Sequence, residues 1–100
     1  MDNVIAERKL LYALKNSPVQ KEMTIKIGVP YWIDNDVASC PFELEGLFDL
    51  NDVQDARGAD LIQALQFAVN VDFILEKLRK KYDFYWPTGE PYFDDDQSEN

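Results

Sequence analysis

"RGADLIQALQFAVNVDFILEKLRKKY", Arg57 to Tyr82, holds the reading that decides the fold. Leu61, Ala64, Leu65, Ala68, Val71, Leu75 and Leu78 recur at steps of three and four, which places them on one stripe of an α-helix. Ile62, Val69, Phe73 and Ile74 widen the stripe, and Gln63, Gln66, Asn70 and Asp72 interrupt it. The start is well marked. Gly58 breaks the preceding segment, Asp60 is a favoured N-cap residue, and Gln63 stands three positions later to complete a capping box. Lys77, Arg79, Lys80 and Lys81 fall in the last turns, where cations complement the helix dipole. At ~1.5 Å per residue such a helix is roughly 33 Å long.

An amphipathic helix of that length needs a surface to cover, and the upstream sequence supplies one. "EMTIKIGV", Glu22 to Val29, alternates with Met23, Ile25 and Ile27 on one face and Glu22, Thr24 and Lys26 on the other. "CPFELEGLF", Cys40 to Phe48, alternates again, with Phe42 and Leu44 inward and Glu43 and Glu45 outward. "VIAERKLLYAL", Val4 to Leu14, reads as a strand, with a helix of similar length as the alternative. "NSPVQ" (Asn16 to Gln20) and "DND" (Asp34 to Asp36) have turn composition. The expected architecture is α+β: an antiparallel meander of three to four strands with one long C-terminal helix packed across one face. The aromatic stretch "DFYWPTGEPYF" is expected to fold back on the core. Residues 1–93 then form one domain, and "DDDQSEN", residues 94–100, an acidic disordered tail.

Composition narrows the function classes. The chain has 100 residues, 46% of them hydrophobic, and no apolar run long enough to span a bilayer. Nineteen acids against ten bases give a net charge of −9, which argues against nucleic acid and anionic membranes as partners and favours a basic or neutral protein. The single cysteine, Cys40, cannot form an internal disulfide, and a reducing cytoplasm follows as the expected compartment. The absence of histidine removes Ser-His and Cys-His catalysis and the common zinc sites. "DLNDVQDARG", Asp49 to Gly58, fails the calcium-loop pattern because Val53 and Gln54 occupy a ligand and the glycine position. Neither metal nor cofactor is expected.

The acidity is local. Residues 34–60 carry eight acids and one base, Arg57, whereas residues 1–33 carry three acids and five bases. Asp34, Asp36, Glu43, Glu45, Asp49 and Asp52 are therefore the candidate partner-binding residues, with plain solubility as the competing explanation. Asp60 and Gln63 are assigned a structural role as the helix cap. Glu43 and Glu45, two apart on one strand face, also have the spacing of a paired-carboxylate hydrolase, a pattern that any solvated strand face shares. Gln63, Gln66 and Asn70 line one side of the helix and read as a capping residue and two solvent-facing amides, with hydrogen bonding to a ligand as the alternative, and Asp72 as either exposed at the edge of the stripe or buried with a partner.

"IAERKL" (Ile5 to Leu10), "TIKIGVP" (Thr24 to Pro30), the cysteine before an alternating strand that ends in glycine (Cys40 to Gly46) and "GADLIQALQFA" (Gly58 to Ala68) together resemble a family of small uncharacterised bacterial proteins grouped as a domain of unknown function. The resemblance extends over roughly residues 4 to 90. Leu61 departs from the small hydroxyl residue often seen after the aspartate of that last motif. An α+β fold and a bacterial cytosolic origin are what the resemblance implies; it implies no activity. Two readings follow from the residues. One is a non-enzymatic acidic interaction module, immunity or antitoxin-like, monomeric or weakly dimeric; the other is a small hydrolase or ligand-binding protein using carboxylates near the helix and sheet.

Overall fold

The computed structural model describes Met1, residues 3–47 and residues 52–93. The Val4–Leu14 segment is a strand (β1), as are Lys21–Gly28 (β2), Tyr31–Trp32 (β3), Ala38–Glu45 (β4), Gln54–Gly58 (β5) and Tyr82–Tyr85 (β6). Between β5 and β6 the chain forms helices α1 (Leu61–Val69) and α2 (Asp72–Lys77), closed by a 3₁₀ turn at Leu78–Lys80. The architecture is α+β, as expected, with more strands than the alternation revealed.

All pairings are antiparallel. Phe42 opposes both Ile27 of β2 and Gln54 of β5, and Ser39 opposes both Tyr31 of β3 and Arg57 of β5. Strands β2 and β3 therefore lie on one side of β4, interrupted at Val29 and Pro30, and β5 lies on the other. In space the sheet runs β5, β4, β2 with β3, β1, β6. The expected meander is present as β1, β2, β4 and β5. The helix is not C-terminal: after it the chain returns as β6 and pairs with Leu11 to Leu14 on the far side of β1.

Strands β3, β5 and β6 escaped the alternation for physical reasons. β3 is only two residues long. β5, "QDARG", has no branched or aromatic residue and owes its place to packing rather than propensity. β6, "YDFY", does alternate, with Tyr82 and Phe84 buried, but four residues adjoining a lysine-rich helix end are too short to separate from it.

The inward row of the helix behaves as its spacing requires. Ala64, Ala68, Val71 and Leu75 are buried, and Leu61, Leu65 and Leu78 are half-buried against the same core. Gln66 and Asn70 are exposed. The helix bends at Asn70, whose N–H bonds to Phe67 O one residue short of the α-helical partner. Three residues expected to widen the stripe, Ile62, Val69 and Phe73, are exposed instead, because the sheet covers only the narrow inward row.

Small residues set how close α1 sits. Ala38 opposes Gly58 across the β4–β5 ladder, and a Cβ on Gly58 would lie 2.6 Å from Ala64 N. The cap closes the same end: Gln63 N–H donates to Asp60 Oδ1 at 2.7 Å, while Gln63 Oε1 accepts from Ala59 N–H at 2.6 Å. Gly58→Ala should therefore force α1 off the sheet and cost about 1 to 3 kcal/mol. Asp60→Ala should cost about 0.5 to 2 kcal/mol by leaving an N–H without its acceptor. Chemical denaturation of the two variants measures both, and a Gly58→Ala protein as stable as the parent would contradict the close approach.

Candidate functional site

The six candidate acids do not form one cluster. Strand β4 separates them into two groups, since Ala38 and Glu45 are seven residues apart and about 23 Å distant at ~3.3 Å per residue. Asp34 and Asp36 sit at the hairpin tip beside Ala38. Asp34 Oδ1 is engaged there, accepting from the N–H groups of Asp36 and Val37 at 2.8 and 2.9 Å. Glu43, Glu45 and Asp52 belong to the opposite end, and Asp49 lies outside the described residues. Asp52 is exposed at the approach to β5. Asp55, the second residue of β5, adds a carboxylate that accepts from Ser39 Oγ at 3.2 Å.

Glu43 and Glu45 face a lysine. Lys26 is the ladder partner of Glu43, its ammonium is 2.9 Å from Glu45 Oε2, and Glu7 opposes it from β1. Its pKa is raised, first by the hydrogen bond to Glu45 and then by the charges of Glu45, Glu43 and Glu7. This is a salt-bridged strand face.

Cys40 is fully buried on β4, with Sγ 3.3 Å from Gly28 O. Burial, and secondarily the charge of Asp55, pushes the thiol pKa up and keeps it protonated. Among the described residues no three His, Cys, Asp or Glu side chains come together to hold a metal ion. None of the described helices is long and apolar enough to cross a membrane.

A second constellation was not anticipated. Arg8 opposes Ile25 and so occupies the inward row of β1, between Ala6 and Leu10. Its Nη1 donates to Tyr92 Oη at 2.7 Å, and Tyr92 Oη donates to Asp72 Oδ1 at 2.5 Å. The guanidinium also lies 5.3 Å from the Trp86 ring centroid and 5.8 Å from that of Tyr92, within cation–π range. Tyr92 is placed by a turn at the end of β6, in which Trp86 N–H bonds to Glu90 O and Tyr92 N–H to Phe84 O. Asp72 is exposed, yet it has a partner. Beside this group a groove of about 140 Å³ opens, with Ala6 and Arg8 of β1, Ile25 and Ile27 of β2, and Val69 and Val71 at the helix bend among its lining. The sequence signal for it was the arginine at an inward strand position.

Desolvation, then the hydrogen bond to Asp72, raises the pKa of Tyr92 above its ordinary value of 10.0. The folded state therefore holds the phenolic proton more tightly than the unfolded chain does. The associated stabilisation is complete below pH 10.0 and is lost as pH rises through the higher folded-state value. Melting temperatures across that alkaline range should fall more steeply for the parent than for Tyr92→Phe. Parallel curves would show that the hydroxyl is not coupled to folding.

A comparison of the chain with curated proteins and with solved structures finds no match among either. A family model does match, spanning residues 6–89 and thus both the β1 arginine and the β6 turn as far as Gly89. The chain belongs to the family described as Domain of unknown function (DUF6968).

Proposed function

We propose that this protein is a non-enzymatic interaction module that holds a basic protein partner along the β4–β5 border of its sheet, as an acidic immunity or antitoxin-like protein would. The supporting observation is that strand order sorts the charge. Residues 27–76 supply β3, β4, β5 and most of the helical layer, and Arg57 is the only cation among them. The remaining nine of the ten cations belong to β1, β2, the connection between them, and the chain from Lys77 onward. A basic surface approaching from the β5 side meets Asp52 and Asp55 with little competition, and such a field accelerates encounter more than it deepens affinity. β5 is also a border strand. Among the described residues no strand pairs with its outer side, and a free strand edge offers N–H and C=O groups to an incoming strand.

The two acidic ends of β4 lie farther apart than the ~8 Å Debye length at physiological salt, so each acts on its own part of a partner. The same reading places the protein in a bacterial cytoplasm, consistent with one buried thiol. Capture from a bacterial lysate tests it. The immobilised parent should retain a partner that is released as salt rises past about 0.15 M. The double variant Asp52→Lys with Asp55→Lys should lose that partner, and Glu90→Lys, in the β6 turn, should keep it. A partner retained equally by both variants would move the interface elsewhere and overturn the proposal.

A further inference from the structure

The Arg8 groove lies on a different part of the molecule from the acidic border, and it pairs an apolar floor with a cation, Arg8, and a carboxylate, Glu7, at its wall. We infer that the groove between β1, β2 and the helix bend is a binding site for a carboxylate carried on a short apolar chain, with Arg8 as the anion anchor. Three observations converge on that ligand class.

The first is the floor. Ile25, Ile27 and Val71 are each at most 5% exposed, and Val69 forms an apolar flank at 52% exposure. At about 140 Å³ the space approaches the ~150 Å³ apolar cavity that accommodates benzene, so it takes one tail of four to six carbons or one aliphatic side chain. The second is the cation. Among the described residues Arg8 makes one hydrogen bond, through Nη1 to Tyr92, which leaves most of the five guanidinium N–H donors available. Contact with Trp86 and Tyr92 holds the planar fork in place, and a fixed fork suits bidentate capture of a carboxylate. The third is the surrounding charge. Asp72 is already engaged by Tyr92 Oη, and Glu7, the ladder partner of Lys26, is itself part of the groove wall. Two nearby carboxylates oppose a doubly charged phosphate more strongly than a singly charged carboxylate.

Such a group can come from a free short-chain acid or from the C-terminus of a peptide ending in an aliphatic residue. Titration of the ¹⁵N-labelled protein with hexanoate tests the shared chemistry. Saturable shifts are expected at the amides of Ala6, Arg8 and Val71, and hexylamine should produce none of them. Arg8→Gln should weaken hexanoate binding roughly tenfold or more, in line with loss of a charge-assisted hydrogen bond. Val69→Trp, at an exposed position away from the Arg8 contacts, should block the groove while leaving the melting temperature close to that of the parent. A peptide ending in a free leucine carboxylate, compared with its amide, identifies the source. Binding of the acid form alone assigns the site to a peptide end, and binding of hexanoate without either peptide assigns it to a free acid. Linear, non-saturating shifts, equal shifts with hexylamine, or hexanoate binding unchanged by both substitutions would overturn the inference.

Discussion

The close seat of α1 on the β4–β5 ladder is the constraint on which the other elements depend. Ala38, Cys40, Ala64 and Ala68 are all fully buried, and Gly58 has no room for a Cβ. That layer of small residues lets a short, weakly strand-forming segment act as a strand, because β5 is held by β4 along one edge and by the helix over its face rather than by its own propensity. It also fixes where the helix must leave the sheet. Past Ala68 the chain bends at Asn70 so that Val71 and Leu75 can remain in the core, and the bend opens the groove over Ile25 and Ile27.

The chain was legible wherever one side chain period ran long enough to be read. β2 and β4 have eight residues each, and their inward residues, from Met23 to Leu44, are buried as the alternation requires, whereas β1 was read from its strand-forming composition and leaves Ala6 and Arg8 of its inward row exposed. The helix cap was legible for a similar reason, since Asp60 and Gln63 interact within one turn. Contacts set by tertiary proximity were not. Arg8, Trp86 and Tyr92 meet only because β6 crosses back to β1, and no local spacing records that return. The acidic run was misleading in a particular way, because neighbours in sequence along β4 are carried to opposite ends of a strand or placed against Lys26.

Charge and topology are linked here more closely than composition alone conveys. A net charge of −9 spread evenly would act as a general solubilising field. Sorting by strand order instead gives the sheet two unlike halves: β4 and β5, dominated by carboxylates, and β2, β1 and β6, where Arg8 and the lysines of β1 and β2 balance them. The cations at the end of the helix are engaged as well, Lys77 lying 4.4 Å from the Phe73 ring and the Arg79 guanidinium 4.5 Å from that of Phe93. The basic side thus packs the aromatic C-terminal turn onto the core, while the acidic side is left facing solvent.

Cys40 sits at the middle of this arrangement, on the strand that β2, β3 and β5 all contact, with its thiol directed at Gly28 O. A protonated sulfur with no solvent exposure reacts with thiol reagents only when β4 separates from its neighbours. Since no other cysteine is present, the rate of covalent labelling of the intact protein reads out one event, the opening of the β4 strand. The fold therefore contains an internal clock for its own cooperative opening. Partners and ligands that bind only the closed sheet would slow that clock exponentially with the free energy by which they stabilise it.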